Sequence, residues 1–180
     1  VRDAEVIARA RDEHQDPEVV AAATNVIASS GTDAEFDTFV ERSQHAPTPQ
    51  EQIRHLYALA QFPTEEQIVR ACECAVSEHV RTQNAPFVLQ RALRHRDHGR
   101  KVWEFVVDHW DAIDSRFPRT LLPRMLEGVT WLVDDASIVD VPRFVEAHPI
   151  PEGERVIAQH LERQRVHRAA VDRERPRFRG

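Results

Sequence analysis

Ten histidines are present in the chain, and two pairs of them have spacings that could suit metal ligands. His95 and His98 are three residues apart, which would place both on one side of a helix. They lie in the segment RHRDHGR, whose arginines would repel a cation, so we interpret them as the basic end of a helix that complements its dipole. His160 and His167 are two helical turns apart and lack a suitably placed acidic or cysteine partner, so we predict that both are surface residues.

The carboxylates show no arrangement typical of catalysis. Asp108, Asp111 and Asp114 recur every three residues, which favours a solvated helix face or ion pairs with Arg116 over acid–base chemistry. The sequence contains no His-Glu dipeptide, so the helical zinc motif His-Glu-x-x-His is absent from it, and its five glycines form no phosphate-binding loop. We therefore predict no catalytic and no metal-ligating residue in this chain.

Cys72 and Cys74 are the two cysteines, and positions two apart on a helix point to different sides. They build neither a disulfide framework nor a four-thiolate zinc site, which favours a reducing cytoplasm as the location. The formal net charge of -6 argues against a general nucleic-acid binder. No apolar run is long enough to cross a membrane, so we predict no membrane partner.

The turn VRTQNAP differs from these segments because it places an arginine and two amides between predicted helices. Loops between helical hairpins are displayed to ligands and partners, so Arg81, Gln83 and Asn84 are the candidate contacts to a bound ligand. The alternative is a structural role in which Asn84 caps the following helix and Gln83 satisfies backbone groups.

The elements that position this turn are predicted to be helices throughout. The most strongly patterned segment, Gly99 to Phe117, is predicted to be one helix whose stripe combines two tryptophans with four other apolar residues: Trp103, Val106, Val107, Trp110, Ile113 and Phe117. Capping boxes at Thr32, Thr48 and Thr64 predict three further helix starts. A first helix is predicted over Val1 to His14, and an arginine-rich tail follows the last helix.

Helix-opening prolines fall at positions 17, 49, 86 and 118, a spacing of 32 to 37 residues. Such a period is typical of stacked helical hairpins, each of which buries its apolar face only against its neighbours. The sequence therefore predicts an all-α fold, a solenoid of antiparallel hairpins similar to HEAT or armadillo repeats, with about ten helices in one domain spanning residues 1–180. An irregular helical bundle is the alternative.

Several segments in order resemble the C-terminal helical domain of M1-type zinc aminopeptidases, in particular the actinobacterial aminopeptidase N form. The segments that carry the resemblance are TPQEQIRHLYALAQFP, VRTQNAPFVLQRAL, VWEFVVDHWDAIDSRFP, RMLEGV, FVEAHPIPEG and QHLERQRV. Where the family often has Gln-Asp in the inter-hairpin turn, this chain has Gln83-Asn84, which removes a charge.

This resemblance implies a non-catalytic domain of a larger enzyme that releases N-terminal amino acids from peptides. The domain would enclose the peptide-binding chamber beside a separate catalytic domain, its partner, and would gate or position the substrate. The zinc ligands and the catalytic glutamate would belong to that other domain, so zinc is implied for the parent enzyme and no cofactor for this chain. Arg81, Gln83 and Asn84 would be contacts to the chamber.

Two other functions are compatible with the same residues. A free-standing helical-repeat scaffold for protein–protein interaction would show the same composition and periodicity. Hydrolase activity of this chain by itself would require bound zinc and release of an amino acid. A His-Glu-x-x-His helix encoded upstream of Val1 would distinguish the enzyme domain from the scaffold.

Overall fold

The computed structural model describes residues 17–174. The predicted helix at Val1 to His14 and the last six residues of the arginine-rich tail lie outside this range. The described residues form ten α-helices: α1 (Pro17–Ser29), α2 (Asp33–His45), α3 (Pro49–Ala58), α4 (Glu65–Val76), α5 (Ala85–Leu93), α6 (Gly99–Asp108), α7 (Trp110–Arg116), α8 (Leu122–Leu126), α9 (Ser137–Ala147) and α10 (Glu154–Glu174). Four short 3-10 helices cover Leu59–Gln61, Arg119–Leu121, Glu127–Trp131 and Pro151–Gly153, and residues 17–174 contain no strand.

The predicted capping boxes define three of the helix starts. The Oγ1 atom of Thr48 accepts a hydrogen bond from the backbone N–H of Glu51 at 3.2 Å, and Thr64 does the same for Gln67 at 3.3 Å. At the start of α2, the carboxylate of Glu35 accepts from the backbone N–H of Thr32 at 2.9 Å. Each box satisfies backbone donors that the first helical turn leaves free.

The helices stack in two layers of a solenoid, as predicted. The second helices of successive hairpins, α3, α5, α8 and α10, pack side by side, while α4 packs on α6 in the other layer. Side-chain contacts extend that layer in both directions, since α2 is joined to α4 by Arg70 and Asp37 and α6 to α9 by Arg100 and Asp140. Pro49 and Pro86 lie in the first turn of α3 and α5, so the proline period marks the layer of second helices.

Turns alternate between two edges of this stack, because consecutive helices are antiparallel. Residues 46–48, 77–84, 117–118 and 148–150 form one edge, which we call the Arg81 edge. Residues 30–32, 62–64, 94–98 and 132–136 form the other, the Gly99 edge. At the Gly99 edge, buried Gln67 donates to the carbonyl of Gly31 and to the carboxylate of Asp33, at 3.3 and 2.7 Å. One side chain thus ties two successive hairpins together.

The predicted tryptophan helix is interrupted once, which corrects the expectation of one continuous helix. α6 ends at Asp108 and α7 begins at Trp110, and the ring of the intervening His109 stacks on Phe105 with centroids 3.9 Å apart. The Nδ1 atom of His109 also hydrogen-bonds the carbonyl of Phe105 at 2.9 Å, beside the backbone N–H of His109 at 3.0 Å. Val107, which was predicted to be buried, is exposed.

The two tryptophans of the stripe are core residues, as their spacing predicts. Trp103 is 1 % and Trp110 is 6 % exposed. Both rings meet the ring of Phe144 on α9 edge to face, with centroid distances of 5.2 and 5.1 Å. Edge-to-face pairs add about 0.5–1.5 kcal/mol to the burial itself. The pair therefore fixes α6, α7 and α9 relative to one another.

Candidate functional site

A groove of about 250 Å³ opens at the Arg81 edge, between the turn that joins α2 to α3 and the turn that joins α4 to α5. Its walls mix polar side chains with a few apolar ones: Ser43, Gln44, Pro49, Gln52, Ile53, Leu56, His79, Val80, Arg81 and Asn84. Two hairpins therefore contribute to one concave surface, which only the stacking of the repeats creates.

The structure brings two of the three predicted contact residues to this groove. Arg81 is exposed and Asn84 is half-buried, and both line it, whereas Gln83 is exposed and is not among the lining residues. Asn84 precedes α5, but its side chain makes no capping hydrogen bond, so the alternative capping role is wrong. The backbone carbonyl of Arg81 instead accepts from the N–H groups of Asn84 and Ala85, at 2.8 and 3.1 Å.

Arg116, at the end of α7, forms hydrogen bonds with the backbone at the Arg81 turn. Its guanidinium donates to the carbonyls of Val76 and Val80 at 2.6 and 2.7 Å. The first bond satisfies a carbonyl group that the end of α4 leaves free, a common role of arginine at helix C-termini, and the second binds the turn itself. The ion pairs considered between this arginine and Asp108, Asp111 or Asp114 do not form. Asp114 pairs with Arg119 at 2.6 Å instead.

The chemistry of the groove suits binding rather than catalysis. Arg81 offers a guanidinium, while Asn84 and Gln44 offer side-chain amides and Ser43 a hydroxyl, a set that can bind carboxylate and peptide groups. Gln52 is already engaged, since its Nε2 donates to the carbonyl of Ala46 at 2.9 Å. Among the described lining residues the one hydroxyl nucleophile, Ser43, donates its proton to the carbonyl of Val40 at 2.7 Å.

The histidine pairs do not form metal sites in the described part of the chain. No group of three or more histidine, cysteine, aspartate or glutamate side chains within residues 17–174 is arranged to hold a metal ion. The rings of His95 and His98 stack on each other with centroids 5.0 Å apart, and the Nδ1 atom of His95 accepts from the backbone N–H of His98 at 3.1 Å. The residues present therefore do not fit the zinc that the resemblance implies for a parent enzyme.

The prediction that His160 and His167 are surface residues is wrong for His160. His160 is 6 % exposed and its Nε2 lies 3.1 Å from the carbonyl of Pro123. His167 is half-buried, and its Nδ1 lies 2.7 Å from the carbonyl of Thr130. Both histidines join α10 to the preceding hairpin, because α10 packs on that hairpin along much of its length.

The two cysteines are free and lie on α4. Cys72 is buried and Cys74 half-buried, and burial raises the pKa of both thiols. A raised pKa keeps a thiol protonated near neutral pH, and the thiol is a poor nucleophile. Neither cysteine therefore offers reactive chemistry.

A second surface feature was not predicted from the sequence. Aromatic rings and guanidinium groups form a connected row across the layer of second helices, which we call the ring–guanidinium strip: Tyr57, Phe87, Arg91, Arg94, Trp131 and His167. Tyr57, Arg94, Trp131 and His167 are spaced 37, 37 and 36 residues apart. That recurrence is visible in the sequence, but only once the period of the solenoid is known to be about 36 residues.

No helix within residues 17–174 is long and apolar enough to cross a membrane. The family model of the ERAP1-like C-terminal domain matches residues 3–166, which is most of the chain. The match covers the capped helices, the Arg81 turn, the tryptophan-bearing helices and most of α10. Together with the all-helical solenoid, it shows that the chain belongs to the ERAP1-like C-terminal domain family.

Proposed function

We propose that this chain is the C-terminal domain of an M1-type zinc aminopeptidase, that it encloses the peptide-binding chamber, and that it gates or positions the substrate. The family match over residues 3–166 carries the proposal. The catalytic domain of the same enzyme and its peptide substrates are the proposed partners. Zinc would belong to the catalytic domain, and the cytoplasm is the proposed location.

The groove at the Arg81 edge supports a role in positioning peptides. Arg81 has no side-chain hydrogen bond or ion pair within residues 17–174, so its donors are available to a ligand. The turn that carries it is held by two hydrogen bonds from Arg116, which fix the backbone from which the exposed guanidinium extends. A held turn with free polar groups is suited to orienting a substrate at a distance from the bond that is cleaved.

The experiment compares kinetics of the full-length enzyme on peptides of 2 to 12 residues. Arg81→Ala should raise KM for the longer peptides roughly tenfold, the effect of losing one hydrogen bond to a charged group, and leave dipeptide kinetics unchanged. Gln83→Ala should have a smaller effect, because Gln83 does not line the groove. Arg96→Ala is the matched control, since Arg96 is a strongly exposed arginine at the Gly99 edge.

Equal kinetics for Arg81→Ala and the natural enzyme at every peptide length would remove Arg81 from the site. The domain assignment has a separate test. The reading frame that continues upstream of Val1 should encode a His-Glu-x-x-His helix, and a frame without that motif would favour a free-standing scaffold.

A further inference from the structure

The ring–guanidinium strip contains the most exposed large aromatic side chain of the described residues. Trp131 is 54 % exposed, whereas Trp103 and Trp110 are buried. The guanidinium carbon of Arg94 lies 5.5 Å from the centroid of the Trp131 ring, and the ring of His167 lies 5.0 Å from it on another helix. An indole placed between a guanidinium and an imidazole at the surface is typical of a binding platform rather than of a core.

At the other end of the strip, a second guanidinium stacks on a ring that lies two hairpins before Trp131. The guanidinium of Arg91 lies 4.0 Å from the centroid of the Tyr57 ring, and the ring of Phe87 meets Tyr57 edge to face at 6.4 Å. One donor of Arg91 is bound to the carbonyl of Phe87 at 3.0 Å, which leaves most of its five N–H groups unused. Arg94 lies three residues after Arg91, directly after the end of α5, and its guanidinium extends toward the Trp131 ring.

The arginines of the strip differ from those that join the first helices to one another. In the layer of first helices, Arg70 and Arg100 each bind a carboxylate of the neighbouring helix, at 2.5 and 2.8 Å. In the strip, neither Arg91 nor Arg94 forms an ion pair within residues 17–174. Burial lowers the pKa of Arg91, since its charge has lost solvent and gained no counter-ion.

The nearby carboxylates are already engaged. Glu127 accepts from the Nε2 of Gln90 at 2.8 Å and lies 4.0 Å from Arg163, and Glu51 belongs to the capping box of α3. In a chain of net charge -6, the six residues of the strip include two arginines and no carboxylate. The strip is thus a positive, aromatic surface on an acidic protein.

We propose that the ring–guanidinium strip binds an extended polypeptide that carries acidic side chains. Guanidinium groups stacked on rings keep their N–H edges free for bidentate pairing with carboxylates. Arg91 and Arg94 stack on rings that lie on opposite sides of α5, Tyr57 on α3 and Trp131 after α8. Neighbouring helices pack about 8–10 Å apart and three residues of an extended chain span about 10 Å, so we place the acidic residues of the ligand at every third position. This binding is independent of the Arg81 groove and of the proposed aminopeptidase function.

The experiment measures binding of the 180-residue chain to dye-labelled peptides of twelve residues by fluorescence anisotropy at 50 and 150 mM salt. The probe has glutamate at every third position, and its controls have glutamine or lysine there. We expect the glutamate peptide to bind at least tenfold more tightly than either control. Binding should weaken at the higher salt concentration, because the contacts are between charges near the surface.

Variants of the strip identify the surface. Arg94→Ala and Trp131→Ala should each weaken binding at least fivefold, and Arg94→Glu should transfer the preference to the lysine peptide. The exposed Arg96→Ala is the matched control and should bind as the natural chain does. Circular dichroism melting checks that each variant is folded.

Three results would overturn the proposal. They are equal affinity for the glutamate and glutamine peptides, wild-type affinity of both Arg94→Ala and Trp131→Ala, and tighter binding of a twelve-nucleotide single-stranded oligouridine to the same residues. The last would show that stacking on the rings serves nucleic acid instead.

Discussion

At the scale of single residues, the contacts between hairpins include buried polar side chains that are uncharged and donate hydrogen bonds. His160 is the sharpest case, because its Nε2 donates to the carbonyl of Pro123 while its Nδ1 is buried without a partner. Protonation would place an N–H group in that position with nothing to accept it. Burial accordingly lowers the pKa of His160, and it lowers those of His55 and His95 as well.

The first prediction concerns pH. A histidine whose folded pKa lies below its unfolded value binds protons more readily when the chain is unfolded, so it destabilises the fold as the pH falls below about 6.5. The free energy of unfolding should therefore decrease between pH 7.5 and 5.5, and the decrease should be smaller in His160→Gln. Urea titrations at the two pH values measure this.

His79→Gln is the control for that measurement, since His79 is exposed at the Arg81 edge. It should keep the pH dependence of the natural chain. If the free energy of unfolding decreased equally in His160→Gln and in the natural chain, the buried imidazole would not contribute to the pH dependence.

At the scale of elements, glycine determines how closely successive hairpins approach. A Cβ atom at Gly128 would lie 2.6 Å from the carbonyl oxygen of Gln90 and 2.6 Å from the Cβ of Leu93. Both neighbours belong to α5, and the clash with backbone cannot be relieved by a rotamer change. The 3-10 turn that begins at Glu127 thus packs on α5 because this residue has no side chain.

Gly128→Ala should reduce the free energy of unfolding by about 1–3 kcal/mol, the usual effect of overpacking a close contact. Arg124→Ala, at an exposed position of the same hairpin, should change it by less than about 0.5 kcal/mol. Urea unfolding of the two variants measures the difference. Equal stability of Gly128→Ala and the natural chain would mean that the hairpins can separate at no cost.

The helix starts could be predicted from the sequence because their signals are local. Thr48 and Thr64 lie three residues before a glutamate and a glutamine, and both boxes form. The break at His109 could not be predicted, since the apolar spacing on both sides of it is that of one continuous helix. The same limit applies to residues 119–131, where a short α8 lies between two 3-10 helices.

The candidate site was only partly predictable for the same reason. The Arg81 turn stands out in the sequence by its polar residues between apolar helices. Its groove needs a second hairpin, and Arg116 reaches the turn from a helix 36 residues further along the chain. The strip from Tyr57 to His167 depends on register between four hairpins, which a single helical pattern does not show.

At the scale of the whole molecule, the fold is a row of hairpins that are connected by similar hydrogen bonds. The hydrogen bonds between hairpins connect residues 27 to 40 positions apart, among them Gln67 to Gly31, His98 to Pro63 and Gln164 to Leu132. The helix pairs in substantial contact lie within one hairpin or in adjacent hairpins. Stability in such a chain is the sum of local terms and nearest-neighbour terms, and one end can open while the other stays folded.

Gln164→Leu tests this property. Gln164 is 1 % exposed and its Nε2 donates to the carbonyls of Leu132 and Ser137 at 2.7 and 3.5 Å. The variant leaves the carbonyl of Leu132 without its donor, a loss of about 1–3 kcal/mol, so amide hydrogen exchange in residues 132–174 should become roughly tenfold faster or more. Exchange in α2 and α3 should stay unchanged.

The exposed Gln159→Leu on the same helix is the control, and its exchange should match that of the natural chain throughout. Mass spectrometry of peptic fragments measures hydrogen exchange in residues 132–174 and in α2 and α3 in one experiment. In a bundle with one shared core, the slowest amides exchange by global unfolding, so Gln164→Leu would accelerate them in α2 and α3 as much as in α10. A uniform acceleration of hydrogen exchange would therefore contradict the nearest-neighbour description. An acceleration that is largest in α10 and decreases toward α2 follows directly from hydrogen bonds that connect only adjacent hairpins.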